Sequence, residues 1–105
     1  MGDLSLLLDR LRALPEGEGS VLDNCGILAT TDCASGRTHS IEEYPMLVLG
    51  SMGGALRMGE HVRSHNGANA AEVPLTLARA FGATLPGFGS GESLATQGID
   101  ALLAP

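Results

Sequence analysis

The chain contains no tryptophan and no lysine, and aromatic residues make up only 3% of it. A core organised around large rings is therefore excluded, and Leu, Val, Ile, Met and Ala must supply the buried surface. The six basic residues, all arginine, face twelve acidic ones, for a formal charge of −6. No cluster of basic residues occurs anywhere. Nucleic acid requires a basic footprint, and an anionic membrane surface requires a polybasic one, so neither is an expected partner.

Long hydrophobic runs are also missing. Nothing approaches the roughly 20 apolar residues that span a bilayer. The apolar stretch at residues 4–8 is too short for an export signal and is bracketed by Asp3 and Asp9, so no signal peptide is expected. There are two cysteines, Cys25 and Cys33, and no C-x-x-C. A zinc knuckle or thioredoxin-type motif is thereby excluded. Two reduced thiols are the simplest reading, and spacing alone leaves a disulfide open.

What the chain does have is glycine, fifteen in 105 residues. That is about twice the usual share and signals many tight turns. The length fits a single domain spanning residues 1–105. Leu4, Leu7, Leu8, Leu11 and Leu14 recur with helical spacing. Asp3 suits the cap of that helix, and Pro15 and Gly17 end it. A second helix is expected over residues 70–81, opened by Asn69 and Glu72 as a capping box and closed by Gly82. Val73, Leu77 and Phe81 would form its apolar face. The segments 16–20 and 84–93 read as loops, and 98–103 as a terminal helical turn.

Between the helices lie two strand signals, residues 25–31 and 46–49. The second is continuously apolar, as strands buried on both faces of a parallel sheet are. The thirteen residues from 32 to 44 are just long enough for a parallel crossover. The expected fold class is therefore α/β: a small sheet with at least two buried, parallel strands, flanked by two helices.

The connector between those strands carries the chemistry. It holds Asp32, Cys33, Arg37, His39, Glu42 and Glu43, and loops at strand ends are where rigid sheets present functional groups. Asp32 and His39 supply a carboxylate and an imidazole, ligands suited to a divalent metal such as Zn, Mn or Ca. A loop-capping Asp and a solvent-exposed His are the plainer alternative. Arg37 is a candidate anion contact. His61 and His65 form an H-x3-H pair that would share a helix face, but Gly59, Ser64 and Gly67 favour an exposed loop there. Glu42 and Glu43 read as a solvated face. Cys33 with His39 offers a nucleophile and base. No G-x-S-x-G elbow, phosphate-binding loop or dinucleotide fingerprint is present.

Three stretches carry a resemblance: GSVLDNCGILATTD, THSIEEYPMLVLGSMGGALRMGEHVR and EVPLTLARAFGA. In this order and spacing, residues from about 4 to 94 resemble the carboxy-terminal part of a bacterial family of uncharacterised secreted proteins. That family is named for an HxxSHH motif and is similar to the alkaline-phosphatase and sulfatase-like superfamily. The resemblance implies an α/β fold with a helix-flanked sheet. It also implies that Asp32 and His39 occupy positions that ligate metal in phosphate- or sulfate-ester hydrolases. The chain departs from the pattern in three ways. It has no HxxSHH, it lacks the amino-terminal part that would carry the nucleophile, and it has Asp32-Cys33 where relatives often have Asp-His. A two-metal centre needs more donors than these. Two functions are thus expected: part of a metal-dependent ester-hydrolase-like protein without complete catalytic machinery, or a non-catalytic self-associating scaffold. The expected partner is accordingly a missing amino-terminal half or a second copy.

Overall fold

The computed structural model describes residues 2–39, 43–63 and 68–105. It is a mixed α/β arrangement of three α-helices and two small antiparallel sheets. Helix α1 spans Gly2–Ala13. Its inward side carries Leu4, Leu8 and Leu11, each half-buried. Asp3 lies inside the first turn rather than capping it, where a negative charge complements the helix dipole.

Strands β1 (Pro15–Glu16) and β2 (Gly19–Ser20) close a small antiparallel hairpin immediately after α1. Gly17 supplies the left-handed residue of its turn, with φ of 59°. Helix α2 (Val21–Asn24) follows and opens on a reciprocal cap. The Ser20 N–H donates to Asp23 Oδ2 at 2.8 Å, and the Asp23 N–H donates back to Ser20 Oγ at 3.3 Å. Helix α1 packs on α2 and β2.

Strands β3 (Ile27–Thr30) and β4 (Met46–Leu49) form the second sheet. They are antiparallel, with Leu28 opposite Val48 and Ala29 opposite Leu47. This corrects the parallel, doubly buried pair expected from the apolar run. After a turn at residues 36–39 the chain enters β4 antiparallel beside β3 instead of crossing over. The pair is not buried on both faces either: no residue of β3 or β4 is fully buried, and Leu47 is 47% exposed. A continuous apolar run reports hydrophobicity, not the direction in which a neighbour runs, and a hairpin satisfies the same hydrogen-bonding groups.

After β4 the chain reverses at Gly50, where φ is 82°. A Cβ there would lie 2.2 Å from the Cys25 carbonyl oxygen, so the close approach admits only glycine. Ser51 Oγ donates to the Asp23 carbonyl at 2.7 Å, tying the reversal to α2. Leu56 then bridges antiparallel to Leu103, with the Arg57 N–H donating to the Leu102 carbonyl at 2.8 Å.

Helix α3 spans Glu72–Ala80. The expected cap is there in altered form. Glu72 Oε1 accepts from the Asn69 N–H at 3.3 Å, while Asn69 Oδ1 accepts from Ala71 at 2.9 Å. Pro74 falls in the first turn, where no intrahelical N–H is needed. The buried face differs from expectation. Leu75 and Thr76 are fully enclosed, Val73 and Leu77 are half-buried, and Phe81 is 76% exposed. Apolar periodicity passed over Thr76 because its hydroxyl is polar. The fold buries that hydroxyl by pairing it: it donates to the Glu72 carbonyl at 2.6 Å and accepts the Ile99 N–H at 2.8 Å. The helices therefore do not sandwich the β3–β4 sheet. Helix α3 instead secures the carboxy-terminal segment, whose 3-10 turn at Asp100–Leu102 meets the terminal helical turn expected there.

Among the described residues the fully buried apolar side chains are Leu56, Leu75 and Ala95. The accessible surface is 7436 Å² for a 10.7 kDa chain. Size scaling for compact monomers gives about 5500 Å². The Cα radius of gyration is 14.8 Å, against about 13 Å for a compact chain of this length. The chain is thus less compact than its size allows, and Leu6, Leu7, Leu14, Leu47 and Phe81 are among the large apolar side chains left exposed.

Candidate functional site

The connector leaves β3 at Thr31 and presents its polar groups on exposed backbone. Asp32 is exposed, and its Oδ1 accepts a 3.5 Å hydrogen bond from the neighbouring Cys33 thiol. Thr31 Oγ1 donates to the Cys33 carbonyl at 2.6 Å, and the Tyr44 hydroxyl donates to the Thr31 carbonyl. These bonds tie the two ends of the connector together at the rim of the sheet. Arg37 and His39 stand in the exposed turn at residues 36–39. His39 has φ of 54°, a left-handed conformation held by a non-glycine residue, which costs about 1–2 kcal/mol. Glu43 adopts the same conformation.

Glu43 is fastened from another part of the chain. The Arg63 guanidinium donates to its Oε1 at 2.6 Å, the one ion pair among the described residues. The carboxylate raises the pKa of the Arg63 guanidinium, first through the hydrogen bond and then through charge. A raised cationic pKa favours the paired state below it, so the contribution carried by the guanidinium is lost as pH rises through the strongly alkaline range. Both side chains are largely exposed, and pairs of this kind contribute little to stability.

Between the connector and residues 56–63 opens a wide cleft of about 1580 Å³. Its charged and titratable lining comprises Asp32, Glu43, Arg57, Glu60, His61 and Arg63. Its apolar wall includes Val48, Leu56, Val73 and Ile99. Asp32 and His61 both line this cleft, which spacing did not predict, and His39 is not among its lining residues. His61 lies in irregular, exposed chain rather than on a helix, as its glycine neighbours implied. His65 and Glu42 lie outside the described residues. Arg57, Glu60 and Arg63 were passed over because they form no recognised motif. The density of charge in RMGEHVR, between apolar segments, is the signal that marks them.

No group of three or more His, Cys, Asp or Glu side chains among the described residues is arranged to hold a metal ion. Two donors fall short of the three protein ligands of a catalytic zinc site. The metal implied by the resemblance is thus not accommodated by the described residues alone, and no catalytic step through it follows. Cys25 and Cys33 are free and half-buried. Strand β3 lies between them. Its four residues alone extend about 13 Å, beyond the roughly 7 Å limit for a disulfide. The Cys33 thiol donates to the Asp32 carboxylate, and no cationic partner that would activate it bonds it among the described residues.

No helix among the described residues is long and apolar enough to cross a membrane. Comparison with known protein families, with curated proteins and with solved structures finds no match.

Proposed function

We propose that this chain is the carboxy-terminal part of a metal-dependent phosphate- or sulfate-ester hydrolase-like protein, contributing to a site that it does not complete. The carrying observation is the cleft, whose lining mixes charged and apolar residues while no group of three or more His, Cys, Asp or Glu side chains among the described residues is arranged to hold a metal. Asp32 lines it together with Arg57 and His61, the latter two as potential contacts for an anionic ester. His39 remains a candidate metal donor and Arg37 a candidate anion contact on the connector. The resemblance of residues 4–94 to the HxxSHH-motif family and the large uncovered surface both support this reading. The remaining ligands and the nucleophile would come from other polypeptide. On its own the chain is expected to turn over no ester and to bind Zn, Mn or Ca weakly. Elemental analysis and calorimetric titration of the purified chain test this. Weak binding diminished by Asp32→Ala supports it. No metal uptake, with no difference between wild type and Asp32→Ala, removes it.

A second reading, a non-catalytic self-associating module, is favoured by a separate observation. Leu6, Leu7, Leu14 and Leu47 are each between 46% and 55% exposed, and a two-stranded sheet is marginal without further cover. Light scattering decides it: a mass above that of one chain is expected, and a monomer at high micromolar concentration counts against it.

A further inference from the structure

Helix α1 carries leucines on more of its circumference than its own chain covers. Leu4, Leu8 and Leu11 are turned inward and half-buried. Alongside them runs an exposed stripe of Asp3, Leu7 and Arg10, with Leu6 at its edge. The spacing of four and three residues makes this a straight seam on the helix. Asp3 and Arg10 form no ion pair within the chain among the described residues.

This stripe is complementary to itself in one orientation. When two copies of α1 are laid antiparallel with Leu6 of one against Leu7 of the other, Asp3 of each falls opposite Arg10 of the other. A parallel pairing would instead set Asp3 against Asp3 and Arg10 against Arg10. The chain as a whole carries −6, which opposes self-association. The α1 segment does not, since Asp3 and Asp9 balance Arg10 and Arg12. An apolar pocket of about 310 Å³, bounded by Leu4, Pro45 and Leu47 among others, carries the exposed apolar surface from the start of α1 onto the β3–β4 sheet.

We infer that a second copy of this chain docks on α1, forming an isologous dimer through antiparallel helices with Leu6–Leu7 contacts and two Asp3–Arg10 ion pairs at the rim. Each pair occurs twice because the two-fold axis repeats it. The inference rests on the self-association reading and specifies its surface. It does not use the cleft.

Sedimentation equilibrium of the 105-residue chain tests it, with circular dichroism to confirm that each variant keeps its helix content. The wild type is expected to be dimeric at tens of micromolar. Asp3→Arg or Arg10→Asp alone places like charges opposite each other twice, and the dissociation constant should rise roughly tenfold or more. The double exchange Asp3→Arg with Arg10→Asp should return it to within about threefold of wild type, because the pairs are restored in reverse. Leu7→Glu should leave a helical monomer. A wild-type monomer at high micromolar concentration overturns both the inference and the reading beneath it. A dimer indifferent to all these variants overturns the α1 surface but leaves self-association standing. Weakening by both single changes without recovery in the double overturns the antiparallel arrangement.

Discussion

The hydroxyl of Thr76 and the backbone N–H of Ile99 lie 2.8 Å apart and join α3 to the carboxy-terminal segment from inside the protein. Thr76 is 2% exposed and Ile99 is half-buried, so the bond is largely withdrawn from water. Replacing it by valine keeps the shape and removes the acceptor. Leaving a buried N–H unpaired costs about 1–3 kcal/mol. Thr76→Val should lower the thermal midpoint accordingly, and Thr76→Ser should recover most of the loss. Calorimetry of the three proteins checks this. Equal midpoints for the valine and serine variants would show that the hydrogen bond contributes nothing.

Gly50 and Gly54 offer a controlled comparison of sterics and backbone strain. Both have positive φ, 82° and 92°. At Gly50 a Cβ meets the Cys25 and Leu22 carbonyl oxygens at 2.2 and 2.9 Å, whereas at Gly54 it meets nothing within 4 Å. Gly54→Ala should therefore show only the conformational cost of about 1–2 kcal/mol. Gly50→Ala should add displacement of the β4 reversal and cost about 3 kcal/mol or more. Urea denaturation of both variants makes the comparison, with the larger drop expected at position 50.

Arg79 holds the loop after α3 by its guanidinium. It donates to the carbonyl oxygens of Leu85, Pro86 and Thr96 at 2.9 to 3.3 Å. A lysine keeps the charge but cannot present a planar fork to several acceptors. Arg79→Lys should leave α3 folded and accelerate amide hydrogen exchange at residues 88–96. The Phe88–Ala95 bridge, whose two backbone bonds are 2.8 and 2.9 Å, is the sensitive reporter. Unchanged protection there would mean that the loop holds itself.

The Ser20–Asp23 cap is the last structural test. Asp23 Oδ2 accepts from both the N–H and the hydroxyl of Ser20. Asp23→Ala removes both bonds at the entry to α2, where loss of a cap costs about 1 kcal/mol. Because α2 packs against α1 and supplies the anchor for Ser51, the loss should appear in global unfolding. Confinement of the change to local exchange at residues 20–24 would contradict that coupling.

Local order was legible in the chain. The leucine spacing of α1, its end at Pro15 and Gly17 and the Asn69–Glu72 cap all follow from helical periodicity and the few residues that start or stop a helix. The apolar strands at residues 27–30 and 46–49 follow from composition and length. The connector between them stood out because it alone gathers acid, thiol, arginine and imidazole between two hydrophobic runs.

Tertiary structure decided the rest. An apolar run does not encode the direction of its neighbour, so only the folded chain shows that β3 and β4 are antiparallel and that Leu47 faces outward. Residues 32 and 61 are too far apart in sequence for spacing to relate them, yet the return of the chain past β4 places both in one cleft. Thr76 is polar in any listing of side chains and becomes core only because Ile99 arrives to bond with it. Sequence determines what each segment prefers by itself; the pairing of distant donors, acceptors and apolar faces determines which of those preferences meet.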